Sequence, residues 1–420
     1  MARVLLLLPT ATYRAADFLT AARALGAEVV VASERRLVSM GDAQLTLDLC
    51  RPEAAAEAIA ALAEDSPLDA VVAVDDQGVR VAALAAERLG LSGNPLEAVA
   101  ATRDKAAMRR ALAVAGVPQP EHRTVGPSDD AAAVAAEVGL PCVVKPLSLS
   151  ASRGVIRADD PQAAAAAVAR VRAILAEAGE DPEGPLLIER YVPGAEVAVE
   201  GLMRAGVLEP LAVFDKPDAL EGPYFEETIF TTPSRLPREI VAAVTRMTAD
   251  ACGALGLREG PVHAELRVDD ERVWMLELAA RSIGGLCSRS LRFGVGVSLE
   301  EVILRHALAL PLGDLRREAA ASGVMMLPIP RAGVLRAVRG QDEARAVPGI
   351  AGLEISIGRD RPVRPLPEGD RYLGFLFARG ETPAQVEHAL RAAHERLEID
   401  IVEAAAGERS AGAAARGLGS

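Results

Sequence analysis

The sequence lacks the features that mark several large classes of protein. Its four cysteines are far apart and form no CxxC pair, so we expect reduced thiols and a cytosolic protein. No apolar run approaches the roughly 20 residues that span a bilayer. The short apolar start, MARVLLLLPT, is soon followed by Arg14 and Asp17, which favours a first buried strand over a signal peptide.

A long basic run is also missing. Lysine and arginine number 46 against 59 aspartates and glutamates, so the formal net charge is −13. This acidic balance argues against nucleic acid, and against an anionic membrane surface, as the main partner. Half of the residues are hydrophobic and 25% are charged, which is globular composition. A chain of 420 residues is too long for one core, so two to four lobes are expected.

Two nucleotide-binding signatures are absent as well. The loop after the first strand, PTATYRA, lacks the glycines of a dinucleotide fingerprint, which disfavours a Rossmann dehydrogenase. No GxxxxGK[ST] segment occurs, so the protein is not a P-loop enzyme. What is present at the N-terminus is an alternation of apolar strands and helices, which predicts a doubly wound parallel α/β lobe.

The sequence divides into four parts. We predict an N-terminal α/β domain over 1–93, a central domain over 94–310 with a small lid lobe at about 122–192, a C-terminal α+β lobe over 322–403, and a disordered tail over 404–420. In the C-terminal lobe the strand YLGFLFARG precedes a helix with Thr382 as N-cap, Pro383 next and Gln385 completing a capping box.

The segment Pro261–Ala280 predicts a β-hairpin with a three-residue turn at Asp269–Glu271. In that register Glu265 and Glu277 are diagonal neighbours on one face, whereas a turn of two or four residues would separate them. Two converging carboxylates repel each other unless a cation lies between them. Mg²⁺ prefers such oxygen ligands and keeps water and substrate phosphates in its remaining positions.

Glu277 lies within the apolar run VWMLELAARSIGG. Burying a lone carboxylate is unfavourable unless a cation neutralises it, so we interpret Glu277 as a metal ligand. Arg281, four residues later, is suited to hold a phosphoryl group or a substrate carboxylate as a bidentate donor. For Glu265 alone, a solvated hairpin face explains the sequence equally well.

Two lysines lie at positions suited to binding phosphate groups. Lys105 falls in the first turn of a helix with Thr102 as its expected N-cap, where the helix dipole disfavours a cation unless an anion is bound or the lysine is exposed. Lys145 ends the strand CVVKP and precedes the loop LSLSASRG. Such a loop can bring backbone N–H groups to phosphate oxygens, although by itself it is typical of a plain linker.

Five segments occur in an order that resembles a known family. They are TRDKAAMRRALAVAGVPQP, PCVVKPLSLSASRGV, IERYVPGAEVAVEG, HAELRV and LELAARSIGG. Together they are similar to ATP-grasp carboxylate–amine ligases, from about Leu91 to Leu310. The resemblance implies an ATP-grasp fold, with ATP and Mg²⁺ as cofactors and Mn²⁺ as an alternative ion.

The resemblance also assigns residues. Lys105 and Lys145 would contact the ATP phosphates beneath a mobile loop, Glu189 the adenine amino group, Tyr191 and Val192 the hinge, and Glu196 the ribose. The loop residues are Ser148, Ser150, Ser152 and Gly154. Glu265 and Glu277 would hold Mg²⁺, and Arg281 would stabilise the acyl-phosphate. Many members place Asn two residues after the second metal glutamate, whereas this sequence has Ala279.

Within the family the segment DKPDALEGPYFEETIFTTPSRLP and the ARSIGG segment look most like L-amino-acid ligases, which form dipeptides. By analogy, Glu227 would face the substrate amino group, Phe225 and Phe230 would shape a pocket, and Gly284-Gly285 would border it. A bland loop packed with aromatics is the alternative. His263 would assist proton transfer or serve as a structural partner for Glu277.

The expected reaction joins a small-molecule carboxylate to an amine through an acyl-phosphate, releasing ADP and phosphate. Two alternatives remain open at this point. A carboxylase acting through carboxyphosphate ranks lower because the sequence contains no Met-Lys biotin-attachment site. A non-catalytic nucleotide-binding protein is disfavoured by the acidic pair and the two lysines. Family analogy suggests a homodimer.

Overall fold

The computed structural model describes residues 1–10, 12–36, 41–270 and 272–403. Contacts divide the chain into two compact units. The first comprises Met1–Gln119, Val197–Asp215 and Thr232–Ala319, and the second comprises Pro120–Glu196, Lys216–Thr231 and the part that begins at Ala320. The predicted tail over 404–420, and Glu271 of the predicted turn, lie outside the described residues. The predicted domain limits stay predictions.

The helices alternate with strands through most of the described chain. In chain order they are α1 (Ala15–Ala24), α2 (Pro52–Asp65), α3 (Val79–Leu89), α4 (Leu96–Arg103), α5 (Lys105–Val114), α6 (Ala131–Val138), α7 (Pro161–Ala178), α8 (Arg238–Leu255), α9 (Leu299–Ala307), α10 (Gln341–Arg345) and α11 (Pro383–His394). In the described part of the chain, no helix combines the length and the apolar character needed to cross a bilayer.

The strands are mostly short and buried. In chain order they are β1 (Arg3–Leu7), β2 (Glu28–Ser33), β3 (Ala43–Thr46), β4 (Ala70–Ala73), β5 (His122–Val125), β6 (Cys142–Pro146), β7 (Ile156–Ala158), β8 (Leu186–Arg190), β9 (Ala195–Arg204), β10 (Val207–Asp215), β11 (Ile229–Thr232), β12 (Gly260–Asp269), β13 (Arg272–Ala279), β14 (Ala321–Leu327), β15 (Gly333–Arg339), β16 (Ile350–Ile355), β17 (Pro362–Val363), β18 (Gly374–Gly380) and β19 (Glu398–Val402).

The first unit begins with the predicted parallel α/β lobe. Its strands run in the order β3-β2-β1-β4, and every neighbouring pair is parallel. The run Val4–Leu8 is wholly buried, as expected of a strand covered on both faces. Helix α3 ends at Gly90, which adopts the left-handed conformation (φ 65°) that favours glycine. The α/β fold class is therefore confirmed.

The first unit also contains an antiparallel arrangement in the order β13-β12-β9-β10. Buried residues of its strands pack with α5 and α8 in one apolar cluster that includes Met108, Val199, Val244 and Met275. This cluster fixes one face of β12 and β13. The opposite face is left for the polar side chains considered below.

The second unit contains three groups of antiparallel strands. Strands β5-β8-β6-β7 pair antiparallel and cover helices α6 and α7. Towards the C-terminus, β14-β18-β16 and β17-β15-β19 are also antiparallel and share a core with α11. Thr382 caps α11 by accepting from the amide of Gln385, whose side chain accepts from Glu381. The predicted N-cap is confirmed, but the Gln385 side chain accepts from the amide of Glu381 and not from that of Thr382, so the reciprocal half of the predicted capping box differs.

Candidate active site

The hairpin of β12 and β13 brings the two predicted carboxylates together by a route that the sequence analysis did not foresee. Asp269 pairs directly with Arg272, so the predicted three-residue turn is wrong. In the register set by that pair, Glu265 would face Leu276 and the two glutamates would lie on opposite faces. A β-bulge at Leu276 shifts the register by one residue, and Glu265 pairs directly with Glu277.

Arg109 supports this bulge from helix α5. Its guanidinium is buried and donates from Nη2 to the carbonyl oxygen of Leu276 at 2.6 Å and from Nη1 to that of Met275 at 3.3 Å. The amide of Met275 donates to the carbonyl of Pro118 at 2.9 Å. A bulge disrupts the regular hydrogen-bond ladder, so these bonds outside the hairpin hold its backbone.

The cation nearest to Glu277 comes from the protein itself. Nζ of Lys105 lies 3.4 Å from Oε1 of Glu277, and Lys105 is buried. Lys105 begins α5, as predicted, but the N-cap is Asp104, which accepts from two backbone amides, and not Thr102. The carboxylates of Asp104 and Glu277 offset the unfavourable position of a cation at a helix N-terminus.

His263 joins one metal-ligand candidate to a second buried carboxylate. Its Nδ1 lies 3.1 Å from Oε2 of Glu200 and its Nε2 lies 3.6 Å from Oε1 of Glu265. Burial by itself would lower the pKa of His263, but the hydrogen bonds to these carboxylates outweigh it and raise the pKa to about 9. The expectation that His263 partners Glu277 is therefore corrected, since its partners are Glu200 and Glu265.

Arg281 is held by a carboxylate from the N-terminal lobe of the same unit. Its Nε and Nη2 both donate to Oδ2 of Asp76 at 3.0 Å, and its Nη1 donates to the carbonyl of Ser282 at 3.1 Å. Arg103 lies 3.3 Å from the other oxygen of Asp76. Burial would raise the pKa of Asp76, but Arg281 and Arg103 lower it to about 2. Burial lowers the pKa of Arg281, and Asp76 more than reverses this, so the net direction is upward.

The two glycines that follow are arranged differently from each other. Gly285 has a φ of 59°, in the left-handed region that favours glycine. A side chain at Gly284 would meet open space. The turn geometry therefore requires the second glycine, while the first leaves one side of the backbone accessible.

In the second unit, two residues that the resemblance assigns to different ends of ATP form an ion pair. Nζ of Lys145 on β6 lies 2.6 Å from Oε2 of Glu189 on β8, and both side chains are buried. The antiparallel register places Lys145 opposite Leu187, so Glu189 is its diagonal neighbour. The lysine is already neutralised within the protein.

A second buried lysine of this unit, Lys216, forms ion pairs with both the predicted ribose ligand and the predicted substrate ligand. Nζ of Lys216 lies 2.7 Å from Oε1 of Glu196 and also forms an ion pair with Glu227. The ammonium group lies 5.0 Å from the centroid of the Phe230 ring, within the range of a cation–π interaction. Glu196, Glu227 and Phe230 thus form one cluster around Lys216.

The predicted hinge residues lie beside the other predicted aromatic. The rings of Tyr191 and Phe225 stack with centroids 6.3 Å apart. Phe225 is buried with Val143 and Leu220, and Val192 is also buried. The structure therefore places Phe225 with a residue assigned to the nucleotide and Phe230 with Lys216.

The Ser- and Gly-rich loop is fastened at both ends. Oγ of Ser148 donates to Oε2 of Glu180 at 3.4 Å, and the amide of Gly154 donates to the carbonyl of Pro367 at 3.0 Å. These bonds fix where the loop starts and stops.

Inside the loop the backbone adopts an unusual conformation. Ala151 and Ser152 have φ values of 55° and 54°, in the left-handed region that costs non-glycine residues free energy and is common at ligand clamps. The carbonyl of Ser150 accepts from the amide of Arg153 at 3.3 Å, which closes a tight turn. The loop is therefore a folded turn with a defined shape.

Comparison with known proteins places these features in a family. Residues 138–290 match the ATP-grasp domain, residues 19–93 the ATP-grasp N-terminal domain, and residues 325–402 the L-amino acid ligase C-terminal domain 2. A D-alanine–D-alanine ligase of Desulforudis audaxviator is 33% identical over 221 residues, which cover 49% of this chain and 67% of the relative. The chain belongs to the ATP-grasp carboxylate–amine ligases.

Other relatives of this ATP-grasp chain agree. Alanine–anticapsin ligase of Bacillus subtilis is 28% identical over 269 residues, which cover 60% of this chain and 56% of the relative. The chain thus spans a little over half the length of that curated relative. The structure of an L-amino acid ligase from Bacillus licheniformis has a similar fold, with a TM-score of 0.81 and 23% identity, covering 96% of this chain and 99% of that one.

Sequence reasoning about this ATP-grasp chain missed several charged residues of the site. Glu200 could have been found by the argument applied to Glu277, because it interrupts the apolar run VAVEGLM. Asp76 follows strand β4, at the edge of a parallel sheet where ligands commonly bind. Arg109 carries no comparable signal, since its partners are 166 and 167 residues away in sequence. Lys216 has none either, since it lies beyond the end of strand β10 and does not interrupt an apolar run.

Proposed function

We propose that this protein is an ATP-dependent ligase that activates a carboxylate as an acyl-phosphate, releases ADP and joins the acyl group to an amine. The observation that best supports the proposal is the direct pairing of Glu265 with Glu277 on one face of the hairpin. These hard oxygen donors suit Mg²⁺. When bound, the ion would neutralise charge on the transferred phosphoryl group.

Within this proposal, charged side chains position and neutralise the reacting groups, and no protein nucleophile is needed. Arg281 would hold the acyl-phosphate, with its guanidinium oriented by Asp76. Both ring nitrogens of His263 face carboxylates, Nδ1 towards Glu200 at 3.1 Å and Nε2 towards Glu265 at 3.6 Å. We therefore assign His263 to orienting Glu265 and not to accepting a proton from the amine.

We further propose that the substrates are two L-amino acids and that the product is a dipeptide. The match of residues 325–402 to the L-amino acid ligase C-terminal domain 2 supports this choice. Glu227 would meet the ammonium group of one amino acid, while Phe225 and Phe230 would contact its side chain. The cysteines Cys50, Cys142, Cys252 and Cys287 are reduced, which fits the expected cytosolic location.

The test is a screen of ADP release over pairs of L-amino acids, with mass spectrometry of the products. Glu277→Gln should lower ADP release by about 100-fold or more, because the loss of one carboxylate removes charge from the metal site. The matched control is Glu209→Gln, at an exposed position of β10 in the same unit. Circular dichroism should show both variants folded. Formation of AMP and pyrophosphate, or normal turnover by Glu277→Gln, would overturn the proposal.

A further inference from the structure

Arg14 is wholly buried at the N-terminal end of α1, in the segment that follows the first strand. Its Nη1 donates to the carbonyl of Val74 at 3.1 Å, and its Nη2 donates to Oγ of Ser282 at 2.8 Å. Glu300, also buried, lies 3.4 Å from Nη2 and supplies the opposite charge. The Nε atom of Arg14 has no hydrogen-bond partner among the described residues.

An unsatisfied N–H on a buried guanidinium is unfavourable for stability. A side chain whose main value was stability would be expected to satisfy all of its donors. The contribution of Arg14 therefore lies in how it positions the groups that it joins.

Arg14 joins the same two segments that meet in the pair of Asp76 and Arg281. Val74, whose carbonyl Arg14 holds, lies two residues before Asp76, and Ser282, whose hydroxyl it holds, directly follows Arg281. The two segments are thus connected twice, once through Arg14 and once through the pair itself.

The backbone after Arg281 has two further attachments. The guanidinium of Arg281 donates to the carbonyl of Ser282 at 3.1 Å. The amide of Ile283 donates to both carboxylate oxygens of Glu200, at 3.1 and 3.0 Å. With Arg14 on the Ser282 hydroxyl, the side chain and backbone of residues 282–283 are held from three directions, and the direction of Arg281 is set by this framework.

We propose that Arg14 is a positioning residue that aligns Arg281 with the phosphoryl group through the hydroxyl of Ser282. The inference rests on the proposed function only for the role of Arg281. It assigns a role in the ligase reaction to the segment PTATYRA, which lacks the glycines of a dinucleotide site.

The first test requires no turnover. Hydrogen exchange followed by mass spectrometry on the full chain should show a peptide containing residues 281–285 exchanging about tenfold faster, or more, in Ser282→Ala than in the natural protein, because a buried hydrogen bond from a charged donor is lost. The matched control is Ser288→Ala, which removes a buried hydroxyl that has no partner in the described structure. Equal protection in both variants would overturn the inference.

The second test measures ADP release from MgATP and a mixture of the twenty L-amino acids. Ser282→Ala should lower kcat by about 10- to 100-fold with the KM for ATP within about twofold, since a small misplacement of a catalytic group slows the chemical step. In Arg281→Lys the same serine substitution should have no further effect, because Ser282 acts through Arg281. Independent, multiplicative losses would overturn the inference.

The two proposals fail in distinguishable ways. If the natural protein releases no ADP under any condition, the proposed ligase activity is wrong, yet the exchange experiment still shows whether the Arg14 bond holds residues 281–285. If the natural protein is active and Ser282→Ala matches Ser288→Ala in both exchange and kcat, the ligase proposal stands and the role of Arg14 is refuted.

Discussion

Replacing Arg109 with methionine tests whether support from helix α5 keeps the β-bulge at Leu276 and thereby the alignment of Glu265 with Glu277. Methionine retains an unbranched chain that can fill the space of the aliphatic part of the arginine side chain, and it lacks the guanidinium group. What is lost are the charged donors to the carbonyls of Met275 and Leu276.

The size of the effect follows from those two bonds. Leaving a buried hydrogen-bond acceptor without its donor lowers the free energy of unfolding by about 1–3 kcal/mol. The bond to Leu276 is short, at 2.6 Å, and the bond to Met275 is long, at 3.3 Å, so the first should carry most of the effect. We expect Arg109→Met to lower the free energy of unfolding by about 3 kcal/mol.

The functional consequence is larger than the change in stability suggests. Without the bulge, the register set by Asp269 and Arg272 would turn Glu277 to the face opposite Glu265. The Mg²⁺ concentration needed for half-maximal ADP release should then rise by about tenfold or more, as expected for a substitution that misorients a metal ligand.

Urea denaturation and a Mg²⁺ titration of ADP release measure the two effects. The control is Arg110→Met, the next residue on the same helix and exposed, which should change the free energy of unfolding by no more than about 0.5 kcal/mol. If Arg109→Met and Arg110→Met have equal unfolding free energies and equal Mg²⁺ requirements, the bulge does not depend on Arg109 and the reasoning is refuted.

Two further predictions concern pH. The pKa of Asp76 is lowered from 3.8 to about 2, so its ionised form adds about 2 kcal/mol to the free energy of unfolding above pH 4, and this contribution is lost as the pH falls towards 2. In urea, Asp76→Asn should therefore have a lower free energy of unfolding than the natural protein at pH 7, and the difference should narrow below pH 4. A difference that stays constant with pH would contradict this. The pKa of His263 is raised from 6.5 to about 9, so its protonated form adds about 3 kcal/mol to the free energy of unfolding below pH 6.5. This contribution is lost as the pH rises through 9. His263→Gln should therefore be less stable than the natural protein at pH 6, with the difference shrinking by pH 9.5, and an unchanged difference would refute this.

The parts of the fold that the sequence predicts are those with local causes. The alternation of apolar strands and helices predicts the parallel lobe, and Gly90 ends helix α3 in a left-handed conformation. Thr382 and Pro383 predict the start of helix α11. Where two residues compete for the same local role, prediction fails. Thr102 and Asp104 are both good N-caps, and the structure starts α5 after Asp104 because α4 already includes Thr102.

The parts that the sequence does not predict depend on contacts between distant segments. The charge inside an apolar strand drew attention to Glu277 because a buried carboxylate was expected, but its side chain is 33% exposed. Its cationic partner, Lys105, lies far from it along the chain. The bulge at Leu276 has no local signal either, since Arg109 supports it from another element. The two carboxylates were expected to meet through a three-residue turn, and they meet instead through a shorter turn and the bulge.

Three ion pairs, two in the first unit and one in the second, involve residues that the proposed function assigns to ligands. Glu277 is paired with Lys105, Glu189 with Lys145, and Asp76 with Arg281. The Glu189–Lys145 pair has both side chains buried, and breaking such a pair is unfavourable because each separated partner is left uncompensated. The Glu277 side chain is 33% exposed, so its pair with Lys105 is easier to break. If Mg²⁺ and ATP phosphates bind as proposed, charged partners exchange: a cation beside Glu277 would replace Lys105 and leave the lysine available to a phosphate. Metal and nucleotide should consequently bind cooperatively, each lowering the free energy needed to accommodate the other.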